Sequence, residues 1–233
     1  MDSEINQESV EAKQWASVKG LIGSGRMALG KHWSFNLRAD PKRLAFVLSR
    51  YKFAAKMACA GGRVLELGCS DGIGVPILAE GADEYLGVDL DESAIASAQV
   101  NWGDEKHCFL YDDFLGKSYG EFDGVISLDV CEHIEPRAEA GYFDTIARNT
   151  TGVGFAVVGT PNITADVYAS EMSKAGHVNL FTGERLVAGL ERVFHNVFLF
   201  GINDEVVHTG FSPMCHYLIC LACNKRGVAG GVG

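Results

Sequence analysis

From residue 63 onward, short apolar runs alternate with segments whose apolar residues recur every three or four positions. The runs at 63–67, 84–88, 106–110, 122–128, 153–159, 196–201 and 216–223 have the length of buried strands. Helical spacing marks 73–80, 91–102, 137–149 and 182–193. Such alternation predicts an α/β domain: a mostly parallel sheet covered on both faces, with ligands at the carboxyl ends of its strands. No helical pattern separates the last two runs, so 202–215 reads as a loop and the final pair as an antiparallel edge. Upstream, Pro41 opens a helix through about residue 60, with Leu44, Val47, Leu48, Tyr51, Ala54 and Ala55 at helical spacing. Arg50 and Lys52 on that helix could reach a ligand, but each taken alone reads as a solvated surface charge. Residues 1–32 are polar at first and then interrupted by Gly20, Gly23, Gly25 and Gly30, the pattern of a mobile or loosely helical arm. The expected organisation is an arm and helical lid over 1–60, one main domain over 61–225, and a disordered glycine-rich tail over 226–233.

Composition agrees with one self-sufficient domain: 233 residues, 47% hydrophobic and 21% charged. A net charge of −10 with no run of more than two Lys or Arg argues against extended nucleic acid as a partner. There is no apolar run of membrane-spanning length, and the N-terminus is polar and acidic rather than signal-like, so the expectation is a soluble cytoplasmic protein with no membrane partner. Seven scattered cysteines suit a reducing compartment. Cys220 and Cys223 have metal or redox spacing, but in a strand they point to opposite faces and read as small core residues.

The chemistry begins at residues 64–74, a strand, a glycine-dense turn and a helix start. Glu66 lies among apolar strand positions, a costly place for a carboxylate unless a cation or several donors meet it. Gly68, Gly72 and Gly74 allow a sharp turn and close approach of a ligand. The second strand ends at Asp89, 21 positions after Gly68, where a carboxylate commonly accepts ribose hydroxyls. Asp91 reads instead as the cap of the next helix. A dinucleotide fits poorly: Ser70 occupies the middle glycine position of G-x-G-x-x-G, no third glycine follows, and Glu66 would repel a pyrophosphate. S-adenosylmethionine fits, with its ribose at Asp89, its ammonium near Glu66, and its carboxylate near backbone N–H groups or a lid cation.

The runs Glu66-Leu-Gly-Cys-Ser-Asp-Gly72, Gly87-Val-Asp-Leu90, Asp113-Phe114 and Phe122-Asp-Gly-Val-Ile-Ser-Leu-Asp-Val-Cys-Glu-His-Ile134 resemble, in order and spacing, the motifs of class I S-adenosylmethionine-dependent methyltransferases. The resemblance covers about residues 63–160. It implies a Rossmann-like seven-stranded sheet of order 3-2-1-4-5-7-6 with the last strand antiparallel. It also implies a cofactor site of Glu66, Gly68, Ser70, Asp71, Gly72, Asp89, Leu90, Asp113, Phe114 and Leu128. In that set Asp113 would bond the adenine amino group, with Asp112 as the alternative.

The fourth strand runs into Leu128-Asp-Val-Cys-Glu-His-Ile134. If 129–133 forms a helical turn, Asp129, Glu132 and His133 face one way and could hold a divalent ion that activates a hydroxyl. Asp-x-x-Glu-His resembles the Glu-x-x-Glu-His of metal-dependent ubiquinone-biosynthesis and small-RNA O-methyltransferases, in which a later histidine completes the site. His177 matches that histidine by position. The implied metal set is Asp129, Glu132, His133 and His177, for Mg²⁺ or Mn²⁺, with Glu132 and His133 as catalytic residues. Two other readings stay open: a metal-free site with His133 as general base, or Asp129 and Glu132 as helix caps. Residues 161–181 are expected to wall the acceptor pocket, and Asn203, Asp204, Glu205 and His208 to line it if they do more than make an ordinary loop.

The expected reaction is displacement at the sulfonium methyl by a hydroxyl of a small molecule, such as a sugar or phospho-sugar. N-methylation of a small amine, or a non-catalytic nucleoside-binding partner of the same fold, are the alternatives.

Overall fold

The computed structural model of the protein describes residues 9–22 and 26–227. The N-terminal helices are α1 (Val10–Leu21), α2 (Lys31–Ala39) and α3 (Lys42–Ala58). Then come β1 (Arg63–Leu67), α4 (Val75–Leu78), β2 (Glu84–Asp89), α5 (Glu92–Trp102), β3 (His107–Tyr111) and β4 (Phe122–Leu128). The second half holds α6 (Glu139–Asn149), β5 (Thr150–Pro161), α7 (Glu171–Gly176), α8 (Gly183–Glu191), β6 (Phe194–Asn203), β7 (Val206–His208) and β8 (Tyr217–Lys225). All the strands join one sheet of order β3-β2-β1-β4-β5-β8-β6-β7. β1 to β5 are mutually parallel, and β8 inserts antiparallel between β5 and β6.

The expected seven strands are therefore eight. β7 pairs antiparallel with Gly201, Ile202 and Asn203 of β6, so 202–215 is not wholly a loop. At three residues it is too short to leave a periodic signature. In the arm, α1 and α2 are defined helices. Ser9 caps α1 by accepting from the Ala12 N–H, yet α1 buries no residue, whereas α2 buries Trp33 and Asn36. The glycines at 23 and 25 and the tail residues 228–233 lie outside the described residues. No described helix is long and apolar enough to cross a membrane.

Period-two alternation in the strands sets the two sides of the sheet. In β1, Leu65 and Leu67 join one core with Tyr142, Phe143 and Ile146 of α6 and Leu186 and Leu190 of α8. Val64 faces the other core, built with Val47, Tyr51, Ala54 and Ala58 of α3 and Val75 and Leu78 of α4. Glu66 alternates onto this second side, beneath α3. The helix that follows the arm is thus packed on the sheet, and its buried face brings Tyr51 to the end of β1.

Candidate active site

Between β1 and α4 the chain reverses in a few residues, using Gly68, Ser70 and Gly72 in the left-handed region at φ 85°, 50° and 80°. A Cβ at Gly68 would stand 2.2 Å from Val130 Cγ2, and one at Gly72 2.8 Å from Trp102 Cδ1. Both positions therefore exclude a side chain on two grounds, conformation and space. Ser70 takes the same conformation with a Cβ, at some strain. Asp71 is buried, and its carboxylate turns to the N-terminus of α2: a Cβ at Gly30 would fall 2.2 Å from its Oδ2. Burial pushes the Asp71 carboxyl upward, opposed by the backbone at Trp33. Asn101 Nδ2 donates to the Ala28 carbonyl at 2.8 Å, so the segment before α2 is tied to α5 beside the turn.

Glu66 is 1% exposed, and among the described residues no cation meets it. Its burial is instead met by donors: Tyr51 Oη at 2.8 Å to Oε1, and Tyr85 Oη to Oε2. Burial raises its pKa to about 7 in spite of both tyrosine hydrogen bonds. A Cβ at Gly74 would collide with the Tyr51 ring at 2.1 Å, so that glycine lets α3 descend onto the turn.

Asp89, at the end of β2, is held in place by two backbone donors, Ser70 N–H to Oδ2 at 2.8 Å and Asp91 N–H to Oδ1 at 2.9 Å. Asp91 caps α5 through Ser93 and Ala94 as expected. Leu90 is exposed beside Asp89, and Leu128 is buried at the end of β4. Of the acidic pair after β3, Asp112 is occupied by Lys117 and by Tyr119 Oη. Asp113 is exposed and, among the described residues, accepts only from the Leu115 N–H, at 3.2 Å, which leaves it the freer of the two. Phe114 packs into the core against Tyr142.

After β4 the geometry departs from a helical turn over 129–133. Asp129 sits at φ 56° and only Cys131–His133 forms a 3₁₀ turn. Asp129 is drawn away by Arg50, whose Nη1 contacts Oδ1 at 2.9 Å and Oδ2 at 3.0 Å. Arg50 is accordingly not a solvated surface charge: its side chain is 16% exposed and its guanidinium lies 3.6 Å from the centroid of the Tyr217 ring. Of the four expected metal ligands, Glu132, His133 and His177 converge, each offering a ligand atom within 4.8 Å of the others, and Asp129 is not in that group.

The converging three are chemically distinct. Glu132 is buried, accepts from Thr160 Oγ1 at 3.0 Å, and has a pKa raised to about 8, by burial first and Asp129 second. The Gly176 carbonyl lies 2.8 Å from His133 Nδ1, which fixes that nitrogen as the donor and leaves Nε2 free. Among the described residues His177 Nδ1 is buried without a partner, and burial followed by His133 lowers its pKa. One carboxylate and two imidazoles, one with an orphaned nitrogen, form a donor set that fits a divalent cation.

Beside them opens a cavity of about 520 Å³, walled by Arg43 and Arg50 of α3, Tyr168 and His177 of the 161–181 segment, and His216 and Tyr217 at the start of β8. Residues of the 161–181 segment thus line a cavity. Asn203, Asp204, Glu205 and His208 do not line it. His208 Nε2 donates to Asn203 Oδ1 at 2.9 Å, and Glu205 faces a larger, mostly apolar cavity of about 1050 Å³ on the side of Lys52 and Met57 that holds none of the expected cofactor or metal residues. The residues missed from sequence are Tyr51, Tyr85, Arg50 and Tyr217. A signal existed for Arg50: with Arg43 and Phe46 it makes a stripe at spacings of three and four, and all three line the pocket.

Residues 39–193 match the family model described as a methyltransferase domain. Among curated proteins, the ubiquinone biosynthesis O-methyltransferase of Aromatoleum aromaticum is 30% identical over 122 residues, covering 45% of this chain and 52% of that protein. A probable S-adenosylmethionine-dependent methyltransferase of Mycolicibacterium smegmatis is 31% identical over 106 residues, covering 45% of this chain and 40% of that protein. The chain spans about half the length of the curated relatives it matches. Among solved structures, a TehB-like SAM-dependent methyltransferase from Corynebacterium glutamicum superposes with a TM-score of 0.62 at 20% identity, over 84% of this chain and 95% of that one. The N-methyltransferase NodS of Bradyrhizobium japonicum, solved with S-adenosyl-l-homocysteine, gives 0.61 at 18% identity, over 79% and 92%. These two likenesses concern the fold.

Proposed function

This chain belongs to the class I S-adenosylmethionine-dependent methyltransferases, and from that premise we propose that it transfers a methyl group from S-adenosylmethionine to a hydroxyl of a small molecule. The observation that carries the reading is the convergence of Glu132, His133 and His177 beside the 520 Å³ cavity at the carboxyl edge of the sheet. In this reading Asp89 accepts the ribose hydroxyls, Asp113 faces the adenine, and the turn at Gly68 to Gly72 lets the methionine end approach the backbone. The acceptor oxygen attacks the sulfonium methyl; a C–O bond forms, the C–S bond breaks, and S-adenosylhomocysteine leaves. Alignment supplies much of the rate, since the sulfonium is already activated.

The remaining task is the acceptor proton, which His133 Nε2 takes as general base where no cation occupies that nitrogen. Glu132, His133 and His177 would hold a divalent cation, Mg²⁺ or Mn²⁺, which when bound makes a hydroxyl more acidic. A polar wall of Arg43, Asp166 and Ser173 suits a sugar or phospho-sugar acceptor. The relatives named ubiquinone biosynthesis O-methyltransferases support oxygen as the attacking atom. Asp40 and Asp166 on the same wall favour a second reading, an amine acceptor, which would need no metal.

Methyl transfer measured before and after thorough chelation, with Mg²⁺ or Mn²⁺ restored, tests the assignment. The expected result is loss and recovery of activity, and loss of metal binding in His177→Ala with cofactor binding intact. Activity untouched by chelation removes the metal and leaves His133; activity on amines alone removes O-methylation.

A further inference from the structure

Among the described residues, buried polar side-chain atoms without a hydrogen-bond partner occur on Arg50, Asp71, Thr151, His177 and Tyr217. Three of these residues, Arg50, His177 and Tyr217, line the one 520 Å³ cavity. His177 Nδ1 has a use in the ligand set already described. The other two atoms, Arg50 Nε and Tyr217 Oη, do not belong to it. Leaving buried donors unmade is costly, and such groups are normally satisfied by protein, water or ligand.

We propose that Tyr217 Oη and Arg50 Nε hold a second oxygen of the methyl acceptor, next to the oxygen that receives the methyl. The assignment rests on the methyl-transfer reading above. It follows from what each atom can do. Arg Nε–H is only a donor, and a phenol with no partner has its O–H free to donate. Two donors on one wall select an oxygen with lone pairs, such as a hydroxyl, ether, carbonyl or ionised oxygen, over an ammonium.

Position supports the same assignment. Tyr217 is 2% exposed, and its hydroxyl lies against Gly159, where a Cβ would come within 2.7 Å of it. The Gly159 carbonyl accepts the Asp129 N–H, so the phenol sits beneath the strand end that leads into Glu132 and His133. Arg50 stacks on the Tyr217 ring and is locked by Asp129, so both donors are fixed before a ligand arrives.

The test uses Tyr217→Phe in the full chain, with matched probes that differ by one oxygen: catechol against phenol, and cis-1,2-cyclohexanediol against cyclohexanol. Calorimetry is run with the protein saturated with S-adenosylhomocysteine, and melting temperatures are taken without ligand. In the wild type, the two-oxygen member of at least one pair should bind about tenfold tighter or more. The variant should lose most of that preference while its melting temperature and S-adenosylhomocysteine affinity stay unchanged, because the deleted hydroxyl has no partner inside the protein.

No preference in either pair, a preference that survives in Tyr217→Phe, or a lowered melting temperature of the ligand-free variant overturns the assignment. Failure to bind S-adenosylhomocysteine at all overturns the methyl-transfer reading itself, whereas binding without a probe preference overturns only the role of Tyr217 and Arg50.

Discussion

Glu66→Gln should remove a large alkaline loss of stability. The carboxyl is 1% exposed, and burial raises its pKa from the usual 4.5 to about 7 despite hydrogen bonds from Tyr51 and Tyr85. A group whose pKa is raised by folding keeps its proton in the folded chain while the unfolded chain has lost it. Its contribution is therefore fully present below about pH 4.5 and is lost as pH rises through about 7. At about 1.4 kcal/mol for each pH unit of that difference, the full loss is about 3 kcal/mol. Between about pH 5 and about pH 8.5, roughly 2.5 kcal/mol of it should be seen. Glutamine keeps the shape without the charge: its amide oxygen can accept from one tyrosine, and its amide N–H can donate to the phenol oxygen of the other.

Urea unfolding of both proteins across that range is the assay. Other titrating groups, Glu132 among them, are common to the two and cancel in the difference. The wild type should lose about 2.5 kcal/mol more than the variant on going from acid to alkaline pH. Parallel stability curves would refute the reasoning, because they would mean Glu66 titrates alike in the folded and unfolded chains.

Two further substitutions probe the same region. Ser70→Gly should raise stability by up to about 1 kcal/mol in thermal unfolding, since φ 50° suits glycine better than serine, partly offset by the looser unfolded chain. Arg50→Met should cost about 1–2 kcal/mol, because it leaves the half-buried Asp129 without its cation beside the buried Glu132, and adding Asp129→Asn should recover part of that loss in a double-mutant cycle.

The centre of the sheet was largely legible because β1 and β4 are buried along nearly their whole length and read as apolar runs. The boundaries of β1 and β4 coincide with those runs. β7 escaped because three residues carry no period, and α2 because its helix is short and buries only Trp33 and Asn36. In the site, residues close in sequence were the readable ones: the glycine turn, Asp89, and the Glu132-His133 pair. What escaped depends on contacts across the fold. Tyr51 and Tyr85 reach Glu66 from 15 and 19 residues away, and Arg50 reaches Asp129 from 79. The helical spacing expected to unite Asp129 with Glu132 and His133 failed because Asp129 adopts a left-handed backbone and pairs with Arg50. His177 was found by its position relative to a family motif, and the structure brings it to Glu132 and His133.

The central claim is that the turn at Gly68 to Gly72 and the carboxylate of Asp89 bind the nucleoside of S-adenosylmethionine. Titration calorimetry of S-adenosylhomocysteine into the wild type and Asp89→Ala, with folding of both checked by circular dichroism, tests it most directly. The account predicts one-to-one binding in the wild type and a loss of about a hundredfold or more in the variant, since two ribose hydroxyls lose a charged acceptor. No binding to the wild type, or equal binding to a folded Asp89→Ala, would contradict it.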